Sequence, residues 1–170
     1  MTCTLKVYRK SSQAILPTKA TDQAACWDIS ACLEDGQRIV IINEYNENSS
    51  RLVNQAAIKL YDGERMLVPT GLIFDIPMGF SLRIYPRSGL SIKKGISLVN
   101  CQGVIDSDYY HETFVALINH TQMEFEIKHG DRIAQCELVG LTSTTVEETQ
   151  QEPQPKTNRQ GGFGSTGMAS

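Results

Sequence analysis

Apolar and polar residues alternate along much of this chain with a period of two. The alternation is clearest in residues 72–76, 80–85 and 123–128. Because successive side chains of a β-strand point to opposite faces, the pattern predicts short strands with one buried face and one solvated face. Turns that contain Pro and Gly, such as 77–79, separate these strands. The sequence therefore predicts an all-β sandwich or jelly roll rather than a fold of alternating strands and helices.

Two segments depart from this alternation. Residues 113–119 are apolar at nearly every position, which predicts a strand in the interior of the sandwich or a strand with one face covered by another subunit. Residues 88–94 predict one short helix, for which Ser88 is a suitable N-cap. The fold is therefore expected to contain almost no helix.

The composition changes after Leu141. Residues 142–158 are rich in Thr, Glu and Gln, include two prolines and show no periodicity. This composition is typical of a flexible linker. We therefore expect one β domain over residues 1–141 and a flexible C-terminal arm over 142–170. Within the domain, the polar segment 43–50 is rich in turn formers and predicts a surface loop.

Composition and charge narrow the class of protein. The chain has 170 residues, 41% of them hydrophobic and 21% charged, with a formal net charge of -3, which argues against a broad nucleic-acid or membrane surface. No apolar run approaches the roughly 20 residues that span a bilayer. Five scattered cysteines without CxxC spacing predict free thiols in a reducing, cytosolic compartment. Three histidines nine residues apart lack the ligand spacing of a zinc site.

Residues 103–109 contain the strongest candidate for catalytic chemistry. Asp106 and Asp108 lie two residues apart, and Tyr109 follows at once. Gly103, after three polar residues, predicts the turn of a hairpin, and an acid beside such a turn can act as a general base. Because Asp, Ser and Tyr are also ordinary turn residues, a solvated hairpin tip is the alternative for this segment taken alone.

Residues 86–95 have the features of an anion site. The first N–H groups of the predicted helix lack partners within the helix and attract negative charge. Arg87 adds a positive charge beside Ser88, and Gly89 lets a ligand approach the backbone closely. A capped surface turn with a solvated arginine is the alternative.

The Gly-rich end of the chain, residues 161–167, suits a lid. Four glycines surround Phe163 and two hydroxyl residues. Glycine N–H groups can wrap phosphate oxygens, and an aromatic ring can stack on a base. A disordered tail is the alternative for this segment taken alone.

Five segments, in the same order, resemble the five motifs of the homotrimeric dUTPase family, the deoxyuridine 5′-triphosphate nucleotidohydrolases. The segments are 22–31, 86–95, 100–112, 130–135 and 159–167. Several of these matches are weak individually, but five in order are very unlikely by chance. The resemblance covers nearly the whole chain.

The resemblance implies a role for each motif residue. Asp106 would orient and deprotonate the attacking water, and Asp28 would hold a water of the bound magnesium ion. Tyr109 would pack under the deoxyribose and leave no room for a 2′-hydroxyl. The remaining substrate-binding positions are Asn100, Gly103, Val104 and Ile105 for the uracil, Arg87, Ser88, Gly89 and Gln135 for the phosphates, and Arg159, Phe163, Gly164, Ser165 and Thr166 in the lid.

The resemblance also implies an activity and an assembly. The activity is hydrolysis of dUTP to dUMP and pyrophosphate with Mg²⁺, which lowers dUTP and supplies dUMP for thymidylate synthesis. The assembly is a homotrimer of jelly-roll subunits with shared active sites, without nucleic-acid or membrane partners. The expected location is the cytoplasm of a cell or an infected host cell, or the nucleus of a eukaryote.

The chain departs from the family pattern at several positions. Cys26 stands where the family usually has Gly, and Cys101 and Gln102 replace a common Ser-Pro pair. Arg159 lies four residues before Phe163, where five are usual. The departures at Cys101 and Gln102 lie beside the chemistry, whereas the shorter spacing before Phe163 matters, because it bears on whether Arg159 can clamp the phosphates.

The family crosses from its first to its second motif with fewer residues, so 42–59 is expected to be a loop insertion that could contact a partner protein. Two alternatives stay open. One is a nucleotide enzyme like dCTP deaminase, which shares the architecture. The other is a nucleotide-gated regulatory protein that binds its partner through residues 42–59.

Overall fold

The computed structural model describes residues 3–158, which form a nearly all-β domain and confirm the expected fold class. The strands are β1 (Lys6–Arg9), β2 (Trp27–Ser30), β3 (Arg38–Ile42), β4 (Asn48–Leu52), β5 (Ala57–Leu60), β6 (Arg65–Pro69), β7 (Leu72–Asp75), β8 (Phe80–Tyr85), β9 (Ile96–Leu98), β10 (Gly103–Ile105), β11 (Phe114–Asn119), β12 (Phe125–Lys128) and β13 (Arg132–Gly140). Helix α1 spans Ser88–Lys94, as predicted. Within residues 3–158, no helix has the length and apolar character to cross a membrane.

Two antiparallel sheets hold most of the strands. The four-stranded sheet has the order β10-β8-β13-β2, and the five-stranded sheet has the order β4-β3-β6-β11-β9. The pairs β1-β7 and β12-β5 form two smaller ribbons. Buried residues of both main sheets, such as Leu82 and Ile84 in one and Met66 and Leu117 in the other, belong to a single hydrophobic core. The domain is therefore a β-sandwich.

Strand β11 does not lie in the sandwich interior. Val115 and Leu117 are buried in the core, whereas Phe114 is 44% exposed and Ala116 and Ile118 are half-buried. The strand therefore has one core face and one apolar outward face. Of the two explanations for its sequence, the interior strand is wrong, and the cover by another subunit stays a prediction.

The segment 43–50, expected to be a surface loop, is a tight turn followed by an edge strand. Strand β4 pairs with β3, and the side chain of Asn43 accepts two backbone hydrogen bonds that close the turn between them. The sequence missed β4 because this edge strand is exposed along most of its length and lacks apolar alternation. Val53 and Ile58 are buried, so much of 42–59 is part of the domain. Whether it is an insertion stays a prediction.

The hairpin expected around Gly103 is also different in the structure. Strand β9 pairs with β11 in the five-stranded sheet, whereas β10 pairs with β8 in the four-stranded sheet. The turn 99–102 therefore crosses from one sheet to the other, and Gly103 is the first residue of β10 rather than the turn itself. A Cβ at Gly103 would lie 3.1 Å from Cβ of Ile84, so close packing against β8 explains the glycine.

Residues 142–158 follow β13 without any helix or strand, and all of them are exposed. This conformation agrees with the linker composition. The flexibility of the arm and the boundary at residue 141 stay predictions.

Candidate active site

Strands β2, β13 and β8 bring three motif residues together at one end of the four-stranded sheet. Gln135 on β13 lies opposite Asp28 on β2 and opposite Tyr85 on β8. Directly opposite residues share a face of the sheet, so these side chains form a polar row. Arg87 follows the end of β8 by two residues. The predicted residues Asp28, Arg87 and Gln135 are therefore neighbours.

Asp28 holds two arginines. Its Oδ1 lies 2.9 Å from Nε of Arg87, and its Oδ2 lies 3.1 Å from Nη1 of Arg132. Arg87 also donates from Nη1 to the carbonyl oxygen of Arg132 at 3.1 Å, and Gln135 donates from Nε2 to the carbonyl oxygen of Pro86 at 2.9 Å. Because the Asp28 side chain is only 11% exposed, water screens these pairs less than it screens surface pairs. We call Asp28, Arg87, Arg132 and Gln135 the arginine cluster.

Arg132 is the member of the arginine cluster that the sequence did not single out. It lies three residues before Gln135, and in a regular strand this odd spacing would place the two side chains on opposite faces. The pairing of β13 with β2 shifts register between Arg132 and Ala134. Such an irregularity re-aims a side chain, and here Arg132 reaches Asp28. An arginine inside the fourth motif was the available signal, but the shift cannot be seen in the sequence.

A hollow of about 260 Å³ lies beside the arginine cluster. Its charged lining consists of Arg87, Lys94 and Arg132 against the single acid Asp131. The excess of positive charge suits a polyanion such as a phosphate chain. Although the formal net charge of the chain is -3, the positive charge needed for such a ligand is present locally.

The start of helix α1 is open. Arg87, and not Ser88 as predicted, is the N-cap residue, and it makes no side-chain capping bond. Ser88 is the first helical residue, so its N–H and that of Gly89 have no acceptor within the helix. A Cβ at Gly89 would meet nothing within 4 Å, so nothing in this protomer requires the glycine there. The position leaves room for a ligand at the backbone.

The turn 99–102 presents Asn100 in front of β10. Cys101 has a φ of 55°, and the N–H of Gln102 donates to the carbonyl oxygen of Asn100. The Nδ2 atom of Asn100 would lie 3.8 Å from a Cβ at Gly103. The Asn100 amide and the start of the β10 backbone therefore lie side by side, which is the kind of arrangement that can read the edge of a flat base.

Asp106 and Tyr109 form a separate feature after β10. Asp106 is exposed, and its carbonyl oxygen accepts a hydrogen bond from the N–H of Tyr109 at 3.2 Å. The Tyr109 hydroxyl donates to the carbonyl oxygen of Glu112 at 3.0 Å, and its ring meets that of His111 edge-on. Within one protomer, these contacts hold the Tyr109 ring in place but leave the Asp106 carboxylate open.

The arginine cluster and Asp106 lie at opposite ends of β8. Ile105 lies opposite Leu82 in the antiparallel β10-β8 pair, so the chain reaches Asp106 beside the end of β8 that is remote from Arg87. Asp106 therefore lies beside position 81, which is six residues before Arg87. Six residues span about 20 Å along an extended strand. A general base acts within about 3 Å of the proton it removes, or through one water. The Asp106 carboxylate and the arginine cluster of one protomer are therefore not positioned to contact the same phosphate group.

The lid residues lie outside the described part of the chain. Arg159, Phe163, Gly164, Ser165 and Thr166 follow residue 158, where the description ends. Their roles, and the reach of Arg159 to the phosphates, stay predictions.

The described residues offer a magnesium ion little direct coordination. Residues 3–158 contain no group of three or more His, Cys, Asp or Glu side chains that could hold a metal ion. Asp28 is the only carboxylate of the arginine cluster, and each of its oxygens already accepts from a guanidinium group. Since a carboxylate has about four lone-pair sites, Asp28 can still accept from a metal-bound water. This donor set fits an ion held mainly by substrate phosphates and waters, which is the usual state of Mg²⁺.

Comparison with known sequences supports the motif assignment. The sequence model of the dUTPase family matches residues 51–167. The deoxyuridine 5′-triphosphate nucleotidohydrolase of Rhizobium rhizogenes is 41% identical over 153 residues, which are 90% of this chain and 85% of that protein. The protein of the same name from Syntrophotalea carbinolica is 37% identical over 167 residues, which are 98% of this chain and 99% of that protein.

Solved structures show the same fold. A variant dUTPase of Staphylococcus bacteriophage 80alpha with dUpNHpp superposes with a TM-score of 0.76 and 20% identity, over 98% of this chain and 100% of that chain. A variant dUTPase of phage phi11 of S. aureus, whose structure shows the coordination of a structural Mg(II) ion, has a TM-score of 0.68 and 18% identity, over 88% of this chain and 98% of that chain. These likenesses confirm the jelly-roll fold.

The family match covers well over half of the chain and includes four of the five motifs in full. The first motif lies before it, and relatives that align with nearly the whole chain span that motif as well. The chain belongs to the dUTPase family.

Proposed function

We propose that this protein hydrolyses dUTP to dUMP and pyrophosphate. The observation that carries the proposal is the arginine cluster, in which Asp28, Arg87 and Gln135 come from three separate dUTPase motifs and meet at one place. The positive hollow beside them suits a triphosphate. Family membership and the names of the relatives support the same activity.

The base is read by the turn before β10 in this proposal. The Watson–Crick edge of uracil presents an acceptor, a donor and an acceptor, which the Asn100 amide and the backbone of 103–105 can complement. Cytosine presents a donor in place of the first acceptor and an acceptor in place of the donor, and it is rejected because polar groups are then left unpaired. The Tyr109 ring, fixed through its hydroxyl, packs under the deoxyribose and excludes a 2′-hydroxyl.

Asp106 is the general base. Its carboxylate takes a proton from water, and the water oxygen bonds to the α-phosphorus. The bond from that phosphorus to the bridging oxygen breaks, and pyrophosphate leaves in line with the attack. Arg87 and the amides of Ser88 and Gly89 hold the phosphates and stabilise the charge that develops on them. Asp28, Arg132 and Gln135 fix the orientation of this phosphate-binding edge.

A bound Mg²⁺ would neutralise the phosphates and fix the shape of the triphosphate chain. Asp28 would hold a water of this ion, while its two oxygens keep their arginine partners. The ion would therefore enter with the substrate rather than occupy a preformed protein cage.

The functional unit is a homotrimer with composite sites. An apolar row crosses the outward face of the five-stranded sheet. Its members Val40, Leu67 and Val99 are 47%, 41% and 42% exposed, and Ala116, also in the row, lies opposite Leu67. A contiguous apolar face suits a subunit interface. The separation of about 20 Å between Asp106 and Arg87 along β8 supports active sites completed by a neighbouring subunit.

Pyrophosphate release from dUTP, dCTP, dTTP and UTP, each with Mg²⁺, tests the activity. We expect release from dUTP alone. Equal release from UTP would contradict the role of Tyr109, and absence of release from dUTP would contradict the activity. Ammonia release from dCTP would indicate the deaminase alternative. The comparisons with known proteins favour neither the deaminase alternative nor the regulatory one.

Removal of the chain after Gln154 tests the lid. Because the truncated protein keeps every strand found within residues 3–158, it should fold and assemble normally. We expect kcat to fall at least about 100-fold, since the lid positions the phosphates and excludes water. Unchanged kcat in a folded trimer would remove the arm from the mechanism.

A further inference from the structure

Three side chains form a hydrogen-bonded bridge across the four-stranded sheet, and its middle member, Tyr85, belongs to the polar row that also contains Gln135 and Asp28. Gln102, just before β10, donates from Nε2 to the hydroxyl oxygen of Tyr85 on β8 at 2.9 Å. The Tyr85 hydroxyl donates to Oε1 of Glu137 on β13 at 2.7 Å. The bridge thus links the turn 99–102 to two strands that carry the arginine cluster.

The direction of the bridge is fixed by its chemistry. An amide N–H can only donate and an ionised carboxylate can only accept, so the Tyr85 hydroxyl must do both. The pKa of the Tyr85 hydroxyl is raised above its ordinary value, mainly by the hydrogen bond to Glu137 and to a smaller extent by burial. Because an ordinary tyrosine already keeps its proton at neutral pH, the Tyr85 hydroxyl is available there as the donor to Glu137.

The two sides of the turn are not joined by a common ladder, because the flanking strands β9 and β10 belong to different sheets. Cys101, between them, adopts a left-handed φ of 55°, a conformation that is unfavourable for a non-glycine residue. One end of the turn is held by the pairing of β9 with β11 and by the hydrogen bond from the Val99 N–H to the Ala116 carbonyl oxygen at 2.9 Å. At the other end, β10 pairs with β8 from Gly103 onward, and Gln102 adds a side-chain anchor to Tyr85 of β8.

We propose that Tyr85, held by Glu137, is a positioning residue that fixes the base-reading turn through Gln102 and thereby sharpens the selection of uracil. This inference rests on the proposed function, in which Asn100 and the start of β10 read the base. Tyr85 touches neither the reacting atoms nor the base in this proposal. It acts through Gln102, two residues after Asn100.

Tyr85→Phe tests the inference because it removes the hydroxyl and keeps the ring. We expect the Kd of the non-hydrolysable analogue dUpNHpp and the KM for dUTP to rise about 3–10-fold, the effect of one hydrogen bond. The dUTP over dCTP ratio of kcat/KM should fall by a similar factor, while kcat at saturation changes less than about twofold. Tyr8→Phe, which removes an exposed hydroxyl on β1, is the matched control and should behave as wild type.

Three further variants separate the bridge from a general packing effect. Gln102→Ala should reproduce the KM and selectivity of Tyr85→Phe. The variant with both substitutions should be no worse than either single variant, because each substitution removes the same hydrogen bond. Glu137→Gln keeps an acceptor oxygen for the Tyr85 hydroxyl and should retain most of the wild-type selectivity. Full additivity of the two single variants would overturn the inference.

The Cys101 thiol gives a readout that does not depend on activity. Cys101 and Cys3 are both exposed, so both should react with iodoacetamide. If Tyr85→Phe loosens the turn, the alkylation rate of Cys101 should change at least about twofold, while that of Cys3, the internal control, stays constant. The intact trimer is alkylated first and digested afterwards, and peptide mass spectrometry then distinguishes the two cysteines.

The combined outcomes are decisive. Altered Cys101 alkylation with raised Kd and weaker discrimination supports the inference. Unchanged alkylation together with unchanged discrimination would overturn it. Altered alkylation with wild-type discrimination would also overturn it, because the anchor would then not govern base selection. If the wild type does not hydrolyse dUTP, the proposed function fails instead, and the alkylation rate still shows whether the anchor exists.

Discussion

The arginine cluster and the segment around Asp106 differ in how complete they are within one protomer. In the arginine cluster, Asp28 pairs with Arg87 and Arg132, and Gln135 is bonded to the backbone before the helix. The carboxylate of Asp106, in contrast, lies on an exposed residue after the end of β10. In the proposed mechanism, the phosphate-binding side is organised by the fold of a single chain, whereas the catalytic side is completed by a neighbouring subunit and by the substrate.

This difference has an energetic reason. Charged groups that stabilise a transition state work best when they are fixed before the reaction, and the paired arginines meet that condition. A general base needs an open side for water and must remain ionised. If Asp106 were paired with a cation in the same protomer, its basicity would be lowered. The proposed assembly of each site from two protomers would supply both conditions without conflict.

Asp106→Asn should cause the largest loss. The amide keeps the shape of the side chain but cannot take a proton, so we expect kcat to fall about 10²–10⁴-fold, while the Kd of dUpNHpp changes little. Steady-state kinetics and calorimetric titration measure the two quantities. Asp108→Asn, in the same turn, is the matched control and should lose less than about threefold. A wild-type kcat in Asp106→Asn would contradict the role of Asp106 as the base.

Asp28→Asn should cause a smaller loss that includes binding. The amide nitrogen would face one of the two guanidinium groups, so Arg87 or Arg132 would lose its partner. We expect kcat/KM to fall about 10–100-fold, because misplacement of a positioning group carries a penalty of this order. Unlike Asp106→Asn, this variant should also weaken the binding of dUpNHpp. Normal binding in Asp28→Asn would show that the arginines are oriented by other contacts.

Glu64→Gln should affect stability and not catalysis. Glu64 accepts two hydrogen bonds from Arg51, at 2.8 and 2.9 Å, and one from the Tyr61 N–H at 2.8 Å. Its side chain is 12% exposed, and removal of such a partly buried charge pair costs about 1–3 kcal/mol of unfolding free energy. Urea denaturation measures this loss. Because Glu64 belongs to neither half of the active site, kcat/KM should stay within about twofold.

The same residue sets a pH dependence. Burial acts to raise the pKa of Glu64, but the hydrogen bonds from Arg51 and the Tyr61 amide outweigh it, so the pKa lies below its ordinary value. The stabilising contribution is therefore present above the pKa of the unfolded chain and is lost as the pH falls through the lower folded-state value. The stability difference between wild type and Glu64→Gln should shrink on acidification. A constant difference down to pH 3 would contradict this account.

The sequence predicted the strands whose pattern alternates, such as β8 and β12, but it was less informative where the pattern does not alternate. It missed β4, a polar edge strand. It predicted β11 as a strand but could not place it, because β11 is apolar outward as well as inward. In both cases, the surroundings of the strand in the folded protein decide its composition. Local sequence could not show them.

For the site, the motifs identified the residues but not their arrangement. Asp28, Arg87 and Gln135 were expected to share a ligand, and the structure brings them together. The contact of Arg132 with Asp28 depends on a register shift in β13. The placement of β9 and β10 in two different sheets depends on the whole topology. Neither leaves a local signal, so neither could be predicted from residue types and spacing.

In the proposed trimer, Asp106 of one protomer acts on phosphates held by Arg87 of another. Mixing the variants Asp106→Asn and Arg87→Ala, each expected to be nearly inactive, tests this shared site. The two are unfolded together, refolded as a 1:1 mixture, and assayed for pyrophosphate release from dUTP, with each variant refolded alone as the control. In a randomly assembled mixture, about one composite site in four combines an intact Asp106 with an intact Arg87.

We expect the mixture to recover about a quarter of the wild-type kcat, well above the sum of the two variants. If Asp106 and Arg87 of the same protomer formed each site, every site in the mixture would carry one defect. Activity no greater than that of the separate variants, in a mixture shown to contain mixed oligomers, would therefore contradict the account.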